Sequence, residues 1–365
     1  MSDGGPTTFD GRANSVELIK SATDGPGDLS AITTLREAGY ELRDVLAVVG
    51  KTEGNGCVND FSRTLGSHAW RGVLGDEAIT VMSGGTEGVL SPHVTLLIRT
   101  REQDASTGLI GAIAVTGAIA KPDLGRRAQV TAVADAVIQA MMDARLATEN
   151  VHLVLVKCPL LTSDDVTDCV AAGRPSITVD TYESMARSRA ASALGVALAL
   201  GECADADVQA ALDDSRELWS SVASVSSGAE LTGCHVLVLG TSSEGGRLRM
   251  CHAVMTDALD AAPISAMLKE VENAFGRVVQ VFAKAEASPD GHIRGHRHTM
   301  LTDSDVHSTR HARAAVGGLI AGLVGDPAIY VSGGAENQGP PGGGPIAFVY
   351  EVPVVPRSSN VYSSK

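Results

Sequence analysis

Val81-Met82-Ser83-Gly84-Gly85-Thr86-Glu87 recurs as Tyr330-Val331-Ser332-Gly333-Gly334-Ala335-Glu336, and more loosely as Val225-Ser226-Ser227-Gly228-Ala229-Glu230. The shared pattern is Ser-(Gly/Ser)-Gly-(Thr/Ala)-Glu. Two copies follow a β-like lead-in, Ala78-Ile79-Thr80-Val81 and Ala328-Ile329-Tyr330-Val331. A serine at a strand end, followed by glycine, exposes its hydroxyl and the neighbouring backbone N–H groups to a ligand. One copy alone is ordinary turn chemistry. Three copies spread along a chain point to internal repetition.

Working outward from each copy, the same order of elements appears. An apolar run, Val45–Gly50, delivers Lys51; Val151–Val156 delivers Lys157; Val278–Ala283 delivers Lys284. A segment of helical spacing comes next, carrying Arg63, then Arg189, then Arg310 and Arg313. The Ser motif and a closing strand complete each unit. The order recurs but the spacing does not: Lys to Ser is 32, 69 and 48 residues. The third arginine is open by order alone, because Thr309-Arg310 mimics Ser62-Arg63 and Ser188-Arg189. Spacing favours Arg313, which lies 19 residues before Ser332, as Arg63 lies 20 before Ser83; Arg310 lies 22 before. The expected fold is therefore α/β: three similar αβ repeat domains, arranged with pseudo-threefold symmetry around one central site. Their expected extents are 1–103, 108–250 and 255–365.

Composition bounds the function. The 365 residues suffice for two or three domains. The chain is 44% hydrophobic but only 3% aromatic, so Val, Leu, Ile and Ala must build the core. A net charge of −14 argues against binding nucleic acid or an anionic membrane. The six cysteines form no CxxC pair, which removes zinc-ribbon and thioredoxin readings. Met1–Asp10 reads as a loose polar tail, no run has the length of a membrane span, and a cytoplasmic protein is expected. Gly50–Gly56 lacks the P-loop spacing. His292, His296 and His298, flanked by Arg294 and Arg297, read as an exposed polar loop. The Gly339–Gly344 run reads as a rigid turn whose carbonyls can bind a hard cation.

Three lysines, three arginines and three serines around one cavity suggest acyl chemistry. Serine is a weak nucleophile until a base takes its proton. Lysine serves as that base when burial and neighbouring cations lower its pKa. Glycine N–H groups receive a developing oxyanion, and arginines grip carbonyl oxygens. The implied substrate is electron-poor or anionic and rich in carbonyl groups.

The chain resembles the cyanuric acid hydrolase and barbiturase family of ring-opening amidohydrolases. The resemblance covers nearly the whole chain. It is carried by Gly50-Lys51-Thr52-Glu53-Gly54-Asn55-Gly56, Asn59-Asp60-Phe61-Ser62-Arg63, Ser188-Arg189-Ala190-Ala191-Ser192, His311-Ala312-Arg313, the Ser motifs and Gln338-Gly339-Pro340-Pro341-Gly342-Gly343-Gly344. It implies hydrolysis of cyanuric acid to carboxybiuret, which decarboxylates to biuret, with a cyclic imide as the small-molecule partner. A barbiturase opening barbiturate to ureidomalonate, or a non-catalytic binding protein of the same fold, is the alternative. By this resemblance Lys157 and Ser226 carry the chemistry. Lys51, Lys284, Arg63, Arg189, Arg313, Ser83, Gly84, Ser227, Ser332 and Gly333 bind the ring. No cofactor takes part in catalysis. A structural magnesium or calcium ion is implied at Glu286, Ala335, Gln338, Gly339, Pro340 and Gly343. A homo-oligomer, taken as a homotetramer, is expected.

Overall fold

A computed structural model describes residues 14–100, 107–213, 216–242 and 246–353. The tail Met1–Asp10 and most of the polar stretch expected at the first boundary lie outside them. Three copies of one αβ unit follow each other. The first holds β1 (Asn14–Ala22), α1 (Ala31–Glu37), β2 (Val45–Thr52), α2 (Phe61–Leu74), β3 (Ile79–Gly84) and β4 (His93–Arg99). The second holds β5 (Leu109–Val115), α3 (Arg127–Ala144), β6 (Val151–Pro159), α4 (Ser163–Ala171), α5 (Thr181–Ala199), α6 (Val208–Asp213), β7 (Ala223–Gly228) and β8 (His235–Thr241). The third holds β9 (Leu248–Met255), α7 (Ala261–Asn273), β10 (Arg277–Ala285), β11 (His292–Ile293), β12 (His296–Arg297), α8 (Ser308–Val324), β13 (Tyr330–Gly333) and β14 (Gly344–Glu351). The uneven Lys-to-Ser spacing resolves here. The second unit inserts α4 and α6 and lengthens its main helix, and the third inserts the β11–β12 hairpin.

Strand order is the same in every unit: β3-β2-β4-β1, β7-β6-β8-β5 and β13-β10-β14-β9. The first two strands of each order run parallel, joined by a helical crossover. The other neighbours are antiparallel. β1 also pairs with β5, at Asn14↔Gly111 and Ser15↔Ile110, which fuses the first two sheets into one of eight strands. β1 and β9 carry no strand signal in the sequence reading. Leu248–Met255 pairs with β14, so this strand straddles the expected bounds at 250 and 255 and packs with the third unit. In Asn-Ser-Val-Glu-Leu-Ile-Lys-Ser-Ala and Leu-Arg-Met-Cys-His-Ala-Val-Met, polar residues interrupt the apolar run, because much of each strand is only half buried.

The central strands are buried on both faces, hence their near-continuous apolar sequence. Successive side chains alternate between faces. In β6, Val154 and Val156 pack outward against α3 and α5, while Leu153 and Leu155 point inward. In β10, Val281 and Ala283 face α7 and α8, and Phe282 faces inward. The inward rows of all three sheets form one shared core, with Val49, Val81, Leu155, Leu237, Phe282 and Tyr330 at its heart. Among the described residues no helix is long and apolar enough to cross a membrane.

This shared core gives a stability prediction. Phe282 is buried in it, with its ring 5.8 Å from that of Tyr330. Phe282→Ala is expected to lower unfolding stability by about 3–5 kcal/mol, read as a lower urea midpoint. Phe275→Ala, at a side chain 86% exposed, should change it by no more than about 0.5 kcal/mol.

Candidate active site

Parity decides where the lysines and serines go. Lys51 shares the inward face with Val49, Lys157 with Leu155, and Lys284 with Phe282; Ser83 follows Val81 on the same side and Ser332 follows Tyr330. In the parallel pairings Lys51 stands opposite Ser83, Lys157 opposite Ser226, and Lys284 opposite Ser332. One register position in three sheets thus sets three Lys–Ser pairs on top of the shared core. All six side chains are buried.

The lysines also stitch the units together. Lys157 Nζ donates to Met82 O of the first unit at 2.7 Å, and Lys284 Nζ donates to Val225 O of the second at 2.7 Å. Each acceptor is the residue before the neighbour's motif serine. Within their own units, Lys51 Nζ lies 3.3 Å from Ser83 Oγ and Lys284 Nζ 3.2 Å from Ser332 Oγ. Lys157 instead donates to Ser227 O at 3.1 Å and lies 3.3 Å from Glu230 Oε1. Ser226 Oγ is buried without a hydrogen-bond partner. The middle pair therefore faces each other in register without the Lys–Ser hydrogen bond of the other two units.

The arginines enter on the crossover helices: Arg63 on α2, Arg189 on α5, Arg313 on α8. Their N-terminal turns are fixed by side-chain caps. Asp60 accepts from Ser62 N and Arg63 N, Asp180 from Tyr182 N and Glu183 N, and His307 Nδ1 from Thr309 N. Each arginine then meets a glutamate of the next unit. Arg189 Nε and Nη2 donate to Glu336 at 2.7 Å each, and Arg313 Nε and Nη2 donate to Glu87 at 2.8 and 2.5 Å. Arg63 Nε lies 3.6 Å from Glu230. First unit to second, second to third and third to first, the ion pairs close a ring. Glu87, Glu230 and Glu336 were not singled out from the sequence as site residues. The signal was present, since each is the last letter of its Ser motif.

Burial lowers the affinity of all three lysines for a proton. Lys51 and Lys284 are held well below the ordinary lysine range by burial first, then by Arg313 and Arg189 respectively. Lys157 is also lowered by burial, with Glu230 opposing and Arg63 assisting. Burial disfavours ionised Glu336, but Arg189 overrides it and holds the carboxyl at about 2. At the centre, burial raises the pKa of Tyr330, and the hydroxyls of Ser226, Ser83 and Ser332 around it act the other way.

A narrow recess of about 20 Å³ opens among these groups, well below the usual volume of a ligand site. It is lined by Arg63, Arg189, Arg313, Ser83, Ser226, Ser227, Ser332, Gly84, Gly333 and Lys157, with Gly56, Tyr182, Met185 and Thr309 at the sides. Lys51 and Lys284 sit just behind, through their bonds to Ser83 and Ser332. Arg310 is not in the lining; it is partly exposed and lies 3.4 Å from Glu87. Packing explains why the middle motif alone reads Ser-Ser-Gly. A Cβ on Gly84 would stand 1.6 Å from Asp60 Oδ2, and one on Gly333 would stand 2.3 Å from Thr309 Cγ2. Ser227 has room, and its Oγ accepts from Arg189 Nη1 at 3.4 Å.

The residues expected to hold a cation gather away from the recess. Glu286 Oε1 pairs with Arg216 Nη2 at 2.5 Å, and Oε2 accepts from Gly342 N at 3.0 Å. Ala335 O and Pro340 O accept turn bonds from Gln338 N and Gly343 N, each at 2.9 Å, and Gly339 adopts φ +91°. The Gln338 side chain accepts from Val225 N at 2.6 Å, which braces the strand that carries Ser226.

Known proteins share this arrangement. The sequence profile of the family described as amidohydrolase ring-opening protein matches residues 17–351. A cyanuric acid amidohydrolase of Pseudonocardia dioxanivorans is 59% identical over 92% of this chain and 98% of its own. One from a Sarocladium species is 52% identical over 93% and 99%. Among solved structures, a cyanuric acid hydrolase described as an innovation by structural concatenation superposes with a TM-score of 0.89, at 43% identity over 94% of this chain and all of that one. The cyanuric acid hydrolase of A. caulinodans gives 0.87, at 46% identity over 92% and 99%. With a profile match from the first strand to the last and three repeated units that superpose on solved members, this chain belongs to the ring-opening amidohydrolase family.

Proposed function

We propose that this chain opens cyanuric acid by hydrolysis to carboxybiuret, which loses carbon dioxide to leave biuret. The observation that carries this is the threefold one. Three Lys–Ser pairs at one register position, with three arginines, surround one recess. Cyanuric acid is a six-membered ring of three identical carbonyl and N–H units. Its symmetry matches that of the donors. The relatives named above as cyanuric acid amidohydrolases support the same substrate.

In this reading Lys157, neutral when the cycle begins, takes the proton of Ser226. The freed Oγ attacks a ring carbonyl. Ser227 and nearby backbone N–H groups steady the oxyanion. The C–N bond breaks, its nitrogen takes the proton from Lys157, and water then releases the acyl group. Ser226 suits the nucleophile's part because it is buried opposite Lys157 in register, beside the one extra hydroxyl among the three motifs, Ser227. Arg63, Arg189 and Arg313 orient the ring, together with Ser83, Ser332, Gly84 and Gly333.

We also assign a structural divalent cation to Glu286 and the carbonyls of Ala335, Gln338, Gly339, Pro340 and Gly343. One carboxylate with a set of carbonyl oxygens suits magnesium or calcium. Arg216 shares Glu286 and would compete with the ion. No catalytic step passes through it. The enzyme is taken as a cytoplasmic homotetramer, for which exposed Phe61, Val179 and Phe275 offer apolar surface.

Steady-state kinetics on cyanuric acid, with barbiturate alongside, test the substrate: cyanuric acid should have the higher kcat/KM. Ser226→Ala or Lys157→Met should lower kcat by about ten-thousand-fold or more. Ser83→Ala and Ser332→Ala should mainly raise KM, by about tenfold, the worth of one hydrogen bond. A Ser226→Ala enzyme that keeps its turnover while Ser83→Ala or Ser332→Ala is dead would move the nucleophile to another unit. For the cation, chelation should lower the Tm of the wild type and not that of Glu286→Gln. An unchanged Tm and activity in a demonstrably metal-free sample would remove the ion.

A further inference from the structure

The three Ser motifs agree in sequence but not in where their glutamate goes. Glu87 and Glu336 each hold the arginine of another unit through two short bonds. Glu230 turns back to its own lysine. Its Oε1 is 3.3 Å from Lys157 Nζ and its Oε2 is 3.6 Å from Arg63 Nε, and neither oxygen has a hydrogen bond of good geometry. The side chain is 7% exposed.

The backbone differs in the same place. The glycine two residues after the serine is left-handed in the outer units, at φ +105° for Gly85 and +75° for Gly334. A guanidinium lies where its Cβ would be, 2.5 Å away for Arg313 and 2.6 Å for Arg189. Gly228 is not left-handed. It stays in the strand, paired with Pro159, so β7 runs one residue further past its serine than β3 or β13. The space beside it is filled by Glu230 itself, 2.1 Å from an ideal Cβ. Three departures from symmetry therefore coincide: an extended glycine, a carboxylate folded inward, and a serine hydroxyl without a partner.

We infer that Glu230 is the positioning and charge partner of Lys157, making Ser226–Lys157–Glu230 a functional unit that the other two repeats lack. Glu230 has this role provided Ser226 and Lys157 are the reacting pair proposed above. When neutral Lys157 takes the Ser226 proton it becomes an ammonium. A fixed carboxylate at 3.3 Å stabilises that ammonium until the ring nitrogen takes the proton as the C–N bond breaks. Glu230 remains ionised throughout. Lys51 and Lys284 lack this close contact, because Glu87 and Glu336 are held by arginines and act on them from farther away. Besides Glu230, the groups facing Lys157 are Arg63 on α2, Cys158 on β6 and His235 on β8. Burial raises the Cys158 thiol and lowers His235 to about 4, so both are neutral in the working range.

The test is the pH dependence of kcat/KM. Protonated Lys157 cannot act as the base, so activity falls on the acid side. The Glu230 carboxylate raises the pKa of Lys157, so Glu230→Gln should move the acid limb to lower pH by about one unit or more while lowering kcat at the optimum about 10- to 100-fold. Glu336→Gln, which loosens Arg189, should raise KM and leave the limb in place. If Glu230→Gln does not fold, Glu230→Asp decides. Its carboxylate is drawn back by one methylene, so the limb should shift the same way by a smaller amount. A limb that stays put in the folded Glu230 variant, with rates lowered equally at every pH, would reduce Glu230 to a structural part and overturn the inference. Turnover retained by Ser226→Ala would mark failure of the nucleophile assignment instead; a dead Ser226→Ala with an unmoved limb would mark failure of the Glu230 role alone.

Discussion

Six cationic side chains buried around one axis are the constraint on which this structure depends. An isolated buried charge costs several kcal/mol, so the site must either pair its cations or neutralise them. It does both. Glu87, Glu230 and Glu336 supply three negative charges, enough to balance Arg63, Arg189 and Arg313. The lysines are then in excess, and burial lowers their affinity for a proton, most for Lys51 and Lys284. A lysine with a lowered pKa beside a serine is also what the proposed amide hydrolysis needs, so one arrangement would answer both the energetic problem and the catalytic requirement.

No unit completes this balance alone. Each arginine finds its carboxylate in the following unit, and Lys157 and Lys284 donate to carbonyls in the preceding one. The Val225 backbone shows the degree of interlocking. Its N–H is taken by Gln338 and its carbonyl by Lys284, both from the third unit, one residue before Ser226. Beneath, the inward rows of all three sheets share one apolar core. A mispositioned unit would break ion pairs, lysine bonds and core contacts together, so the recess forms only when all three are docked.

Symmetry sets the frame and its breakage assigns the parts. The outer units keep their serines against their lysines and their glutamates on arginines. The middle unit carries Ser227 where a carboxylate or a threonine methyl forces glycine elsewhere, and its Glu230 faces inward. Tyr330 occupies the axis below the three serines, where the equivalent residues are Val81 and Ser224. A symmetric ring can be held by symmetric donors, but only one carbonyl is attacked in a turnover, so the groups around the attacking hydroxyl must differ from the rest.

Much of this was written in the sequence. Apolar runs ending in lysine, helices carrying arginine and a repeated Ser motif gave the order of every unit. Local rules suffice there, because a strand's pattern and a helix's cap depend on near neighbours. Other features depended on which unit meets which. β1 and β9 escaped notice because they are only partly buried, so polar residues break their apolar pattern. The three glutamates could be counted in the motif, but their pairing with arginines of other units is a property of docking. The choice between Arg310 and Arg313 for the recess was suggested by spacing, yet only the turn of α8 buries one and leaves the other at the rim. That Glu230 alone folds back to its lysine was decided by tertiary structure, since the motif's letters are the same at Glu87 and Glu336 and only the path of the backbone at Gly228 distinguishes them.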